Sequence, residues 1–178
     1  MPAKNSPTTE AMGRDFVLTR SFDAPRELMF EVWTRPEHLQ QWFSPKGFTV
    51  LAANMDFRFG GTYHYGMRMP NGQEMWGKWT FREIVPPERI VFIDSFSDAR
   101  GGLARHPMNP NWPREMLSTI TFAEQNGRTT VTIRWSPHNA TETEFKTFDA
   151  GRDSMKQGWG GTLEQLTAHL AKLQKEND

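Results

Sequence analysis

The spacing of apolar residues along this chain changes from a strand period to a helix period, then to strands, then back to a helix. Phe16–Phe22 reads as a first strand, and Leu28, Met29, Val32 and Trp33 then fall on one stripe at helical spacing with Phe30 at its edge. Pro25 suits the first turn of that helix, where a missing N–H costs nothing, with Ala24 as its cap and Glu27 near the positive end of the dipole. Pro36 interrupts it, so Glu37–Trp42 forms a second short helix at an angle to the first. Strand patterns follow over 48–59, 62–69, 73–85, 89–96, 115–123 and 128–135, punctuated by Gly60-Gly61, Pro70-Asn71-Gly72, Pro86-Pro87 and Asn126-Gly127. Thr141 to Glu144 reads as a helix start, with Phe145 and Phe148 on one side. From Met155, the series Trp159, Leu163, Leu166, Leu170 and Leu173 repeats at three and four, which makes a long amphipathic helix running to the C-terminus.

Asn126-Gly127 supplies the sharpest register. An Asn-Gly pair at the centre of a two-residue hairpin turn sets Phe122 opposite Val131, Ile120 opposite Ile133 and Ser118 opposite Trp135 on one face, leaving a Thr-rich second face. Such alternation belongs to an antiparallel sheet with one wet side. The order strand, two short helices, antiparallel strands and long helix is that of an α+β fold in which a curved sheet wraps its last helix, and such a cup contains a cavity. Gly158, Gly160 and Gly161 each weaken the last helix by about 1 kcal/mol relative to Ala, so they imply close approach to the sheet or space left for a guest.

Bulk composition narrows the chemistry. Twenty-one basic residues balance 21 acidic ones with no run of like charge, which removes the footprint of a nucleic-acid binder. No apolar run approaches a membrane span and no signal-peptide pattern opens the chain, so a soluble, cytoplasmic protein is expected. The 178 residues suit one domain over 16–175, preceded by a disordered segment over 1–15 that lacks periodicity. With no Cys, thiolate nucleophiles and disulfides are out, and five scattered His residues without ligand spacing predict no metal site and no cofactor. Seven Trp, 13 Phe and 10 Met suit an irregular apolar cavity as well as an ordinary core. Residues 98–113 are too rich in Gly and Pro for regular structure and too long for a plain hairpin turn, which makes Met108 and Trp112 candidates to cover a cavity mouth.

Several separated motifs in one order carry a family resemblance. Arg20-Ser21-Phe22 with Ala24-Pro25, Glu27, Phe30 and Trp33-Thr34 are followed by Pro36-Glu37-His38-Leu39, Trp42-Phe43 and Pro45. Gly60-Gly61-Thr62-Tyr63, the run Arg82 to Phe92, and Gly158-Trp159 with Leu163, Leu166 and Leu170 complete the set. Over about 16–173 the chain resembles the family named for the activator of the heat-shock-protein-90 ATPase, within the helix-grip superfamily of START and birch-pollen-allergen-like (SRPBCC) domains. The resemblance implies a curved antiparallel sheet gripping the C-terminal helix, with the two short helices closing one end. It also implies a range of activities: binding of lipids, hormones or polyketides, cyclase or hydrolase chemistry, or contact with a chaperone in a stress response. Nothing in 1–15 supplies the further N-terminal domain of the eukaryotic co-chaperone, and the 98–113 loop is longer than the family pattern.

Period-two counting gives the expected cavity wall. Tyr63, Tyr65 and Met67 form one inward set, with His64 and Arg68 outward; Trp79 and Phe81 form another, with Lys78 and Arg82 outward. Phe92, Met116, Ile120 and Trp135 from later strands, Trp112 from the loop, and Met155, Trp159 and Leu163 from the last helix complete the ligand-binding candidates. In the strand at 89–96 both parities are apolar, so Asp94 faces either cavity or solvent; facing inward, with a raised pKa, it is the candidate general base. No GxSxG, P-loop or GxGxxG motif is present. The favoured reading is binding of a small, largely hydrophobic ligand. The alternatives are a cyclase- or hydrolase-like enzyme acting on a polyketide-like substrate through Asp94 or a Tyr hydroxyl, and a chaperone-interacting module. Expected partners are the small apolar ligand, with a homodimer and a chaperone contact left open, and neither nucleic acid nor membrane.

Overall fold

Residues 15–176 are described by the computed structural model, so the segment expected to be disordered lies outside the described residues apart from Asp15. Asp15 is tied down: Arg134 donates to its carboxylate at 3.0 Å and Arg152 donates to its backbone carbonyl at 2.8 Å. The chain runs β1 (Phe16–Phe22), α1 (Arg26–Thr34), α2 (Pro36–Trp42), β2 (Thr49–Met55), β3 (Thr62–Arg68), β4 (Glu74–Val85), β5 (Arg89–Ser97), β6 (Glu115–Gln125), β7 (Arg128–Pro137), α3 (Glu142–Ala150) and α4 (Arg152–Glu176). All seven strands join one curved, unclosed antiparallel sheet in the order β1-β7-β6-β5-β4-β3-β2.

The turn chemistry fixes the register. Asn126 and Gly127 both hold positive φ, 55° and 78°, the conformation a type I′ turn requires, and Phe122 pairs with Val131, Ile120 with Ile133 and Ser118 with Trp135. Thr141 caps α3 reciprocally: its hydroxyl accepts the Glu144 N–H while the Glu144 carboxylate accepts the Thr141 N–H. The start of α1 differs from the sequence expectation. Pro25, in extended conformation, occupies the cap position and the helix begins at Arg26, while the Ala24 carbonyl is drawn away to accept from the Thr129 hydroxyl at 2.7 Å. Strand β2 is shorter than the 48–59 pattern, with a bulge between Val50 and Ala52 and its partner strand lost beyond Met55.

Strand alternation turns Tyr63, Met67, Trp79, Phe81, Phe92, Ile120 and Ile133 onto the buried concave face, against Met155, Trp159, Leu163, Leu166 and Leu170 of α4. The two short helices close one end of this cup. Trp33 packs edge-on to Trp42 at 4.8 Å and to Phe122 at 6.0 Å, and stacks on Trp159 at 6.1 Å. No helix among the described residues is long and apolar enough to cross a membrane.

Candidate functional site

The other end of the cup is not filled. A hollow of about 710 Å³ lies between the concave face of β3 to β7, the 98–114 loop, the α3–α4 junction and the Phe43–Pro45 segment that follows α2. Its size falls in the usual range for small-molecule sites. Tyr65, Met67, Trp112, Met116, Trp135, Met155 and Trp159 line it, and Asp94 lies in its wall. Tyr63, Trp79, Phe81, Phe92, Ile120 and Leu163, which the sequence grouped with them, do not reach it. They sit on the same concave face but are sealed at 0–2% exposure, because α1 and α2 push Trp33, Trp42 and Phe30 into that half and the aromatic faces close on each other.

Cross-strand pairing places the polar centre. The row Tyr63, Trp79, Asp94, Met116 runs straight across four strands, and the next row sets Tyr65 opposite Gly77 and Gly77 opposite Phe96. Asp94 therefore shares the face of Trp79 and Tyr63, resolving the open parity of β5 inward. Gly77 leaves the gap over which the Tyr65 ring lies: a Cβ there would overlap the Tyr65 ring and hydroxyl. Across that gap the Tyr65 hydroxyl donates to Asp94 Oδ1 at 3.4 Å, a long bond. Burial pushes the Asp94 carboxyl up to about 7, only partly offset by the Tyr65 hydroxyl. Tyr65 is driven well above its ordinary value by burial and by the neighbouring Asp94 and Tyr63, so it stays protonated.

A cluster of aromatic rings lines the hollow beyond Tyr65. Phe43 meets Tyr65 edge-on at 5.6 Å, Trp79 at 5.4 Å and Trp159 at 6.3 Å, and Trp159 meets Trp135 at 5.5 Å. The sequence marks Phe43 only as part of the Trp42-Phe43 motif and not as a wall residue, because it follows the short helix α2 outside any periodic run. The Trp159 indole N–H is buried without an acceptor.

The loop over the mouth contributes His106, Asn109, Trp112, Pro113 and Arg114. It is anchored at both ends. Near its start the Asp98 carboxylate accepts the Arg100 and Gly102 N–H groups, and Lys78 and His64 donate to the Gly101 and Asp98 carbonyls. Further on, Arg105 donates to the Pro110 carbonyl and to Glu144 Oε2, each at 2.9 Å. Burial opposes charge on Glu144, but the Thr141 N–H, Arg105 and Arg114 outweigh it and hold the carboxyl below its ordinary value. Trp112 packs against Phe148 and against Gly151, where a Cβ would meet its ring at 2.8 Å. Met108, the other cover candidate, stays exposed at 60% and does not line the hollow.

The glycines of α4 have a definite role only in part. A Cβ at Gly158, Gly160 or Gly161 would meet nothing within 4 Å, so close approach to the sheet is not their reason; Gly158 alone of the three borders the hollow. Among the described residues no cluster of His and carboxylates has the arrangement of a metal site. His64 stacks on Trp76 and does not meet His106, whose ring lies 5.0 Å from Phe96. His38 and His169, which spacing left unconnected, approach to 2.9 Å between α2 and α4, away from the hollow.

The family model described as "Activator of Hsp90 ATPase homolog 1-like protein" matches residues 23–171. The chain belongs to this family. Solved structures of similar fold include a protein from Arthrobacter aurescens, 26% identical with a TM-score of 0.72, the match covering 92% of this chain and 88% of that one. A Mycobacterium smegmatis protein is 24% identical at a TM-score of 0.71, covering 90% and 92%. A Silicibacter pomeroyi protein of the same family name is 21% identical at a TM-score of 0.64, covering 88% and 97%. The latter two speak for the fold alone. No curated protein matches the chain significantly. For this AHSA1-family chain, the hollow and its carboxyl are therefore read on their own chemistry.

Proposed function

We propose that this AHSA1-family protein binds a small, largely apolar molecule in the hollow between the sheet and α4. The observation that carries this reading is the contrast inside one cup. A cavity of about 710 Å³ persists beside a core whose aromatic residues are packed to near-zero exposure, although the chain has ample aromatic side chains to fill both. Interiors are close-packed unless a void has a use. The wall is built as binding pockets are: rings and methionines, with few polar groups. Titration of intrinsic tryptophan fluorescence with apolar aromatic compounds tests it, since Trp112, Trp135 and Trp159 all border the space. Saturable quenching or blue shift is expected, with native mass spectrometry giving one ligand per chain; a flat response to every compound, with the apo mass alone, sinks the proposal.

A second reading is supported by Asp94. A carboxyl with a pKa near 7 beside a protonated tyrosine is suited to general acid–base chemistry on a bound polyketide-like substrate. Loss of turnover in Asp94→Asn with binding retained would separate this enzyme from a plain binder.

A further inference from the structure

We propose that the hollow selects an amine: an apolar, ring-bearing molecule whose ammonium group sits against the Asp94 carboxylate beside Tyr65, with its apolar part among the rings that line the same space. This rests on the ligand-binding reading above and names the ligand class. Asp94 is an acid set in an oily wall, and its one hydrogen bond is the long one from the Tyr65 hydroxyl, a neutral donor. Among the described residues no Lys, Arg or His lies within ion-pair distance of this partly buried carboxyl, whereas the carboxylates of Asp15 and Glu144, less than a tenth exposed, each have an arginine. A carboxylate offers about four acceptor positions, and a buried one left short of donors is unstable in its charged form. An ammonium group supplies both the missing charge and the missing donors.

The surroundings favour a cation further. The π-faces of Phe, Tyr and Trp attract positive charge within about 6 Å, and Tyr65, which touches Asp94, belongs to a cluster of rings with Phe43 and Trp159 in the hollow's wall. The hollow's own positive groups do not compete for the site. Arg114 is in the field of Glu144. His106 takes the Met108 N–H on Nδ1, and burial lowers its pKa, so it is neutral when Asp94 is charged. The tyrosines facing Asp94 from β3, Tyr63 and Tyr65, are both raised by burial and stay neutral. An anionic ligand placed at Asp94 meets the carboxylate, and the exposed Arg114 that could attract it sits in the loop at the mouth.

Proton linkage gives the proposal a signature that simple apolar binding lacks. Asp94 gains its charge as pH rises through about 7, while a primary alkylamine loses its own only near pH 10. Amine affinity must therefore climb as pH passes 7. The test is calorimetric titration of the full chain with three matched probes, 2-(2-naphthyl)ethylamine, 2-(2-naphthyl)ethanol and 2-naphthylacetate, at about pH 8.5 and about pH 5.5. The expected result is that the amine binds at least about tenfold more tightly than the alcohol at the higher pH, with the carboxylate weakest, and that the preference shrinks at the lower pH. Asp94→Asn should abolish the preference for amine over alcohol. Equal binding of amine and alcohol by the wild type overturns amine selection while leaving the hollow as a binding site; silence from all three probes takes down the binding reading itself. A preference that is flat with pH, or that survives Asp94→Asn, also overturns the proposal, and the wild-type pH profile decides it without any variant.

Discussion

The concave face of the sheet is one surface with two endings. Toward α1 and α2 the rings of Trp33, Phe81, Trp79 and Phe92 are packed to 0–2% exposure, with Trp79 and Phe81 both against Phe92. Toward the 98–114 loop the same strands present Tyr65, Gly77, Asp94 and Phe96 to an open space. Alternation is the same in both halves. What differs is the covering element: two helices with bulky apolar stripes at one end, and a Gly- and Pro-rich loop and a glycine-bearing stretch of α4 at the other. A sheet of this kind becomes a core or a pocket according to what is laid across it.

The largest expected effect breaks that comparison directly. Phe81→Ala removes a fully buried ring from the filled half and should cost about 3–5 kcal/mol in urea unfolding. Trp112→Ala removes a larger ring from the hollow's rim, where part of its surface already meets solvent, and should cost under about 2 kcal/mol while abolishing its share of any ligand-induced fluorescence change. Similar losses at the two positions would mean that the hollow is as tightly packed as the core.

Asp94 sharpens the contrast through pH. Its carboxyl titrates from an ordinary 3.8 when unfolded to about 7 when folded. Between those values the folded state holds the extra proton, so stability falls as pH climbs through the window, and the deficit is complete above 7. Asp94→Asn should therefore stabilise the fold by roughly 2–4 kcal/mol at pH 8, allowing for the water that reaches its open side, and by little at pH 4. Thermal unfolding of both proteins across this range measures it. An Asn variant no more stable than the wild type at pH 8 would mean that Asp94 is solvated or already paired.

The filled half was far more legible in the sequence than the hollow. Asn126-Gly127 set the register of β6 and β7 because only certain backbone angles close a two-residue turn, and period two carried Tyr63, Trp79 and Phe81 to the concave face correctly. Periodicity reports which face a residue takes, but not how deep the neighbouring elements press. Thus Phe92, Ile120 and Leu163 were grouped with Tyr65 and Trp135, although α1 and α2 seal the former and not the latter. Asp94 stayed open because β5 is apolar on both parities; its pairing with Trp79 is a non-local fact. Phe43, and the meeting of His38 with His169 across 131 positions, likewise depend on how α2 docks on α4.

Two glycines in the hollow's wall make the finest test of the comparison, because they leave room for different reasons. Gly77 is vacant so that Tyr65 can lie across it; a methyl group there displaces the ring, and with it the donor to Asp94. Gly77→Ala should cost about 1–3 kcal/mol and weaken ligand binding. Gly158 is vacant for nothing in the protein, since its Cβ would meet no atom within 4 Å. Gly158→Ala should stabilise α4 by about 0.5–1 kcal/mol, measured by urea unfolding, because alanine restricts the unfolded chain and suits the helix. If the hollow holds a guest against that stretch of α4, the same methyl group lowers affinity while raising stability. A gain in stability with unchanged affinity would confine the guest to the Asp94 side of the space.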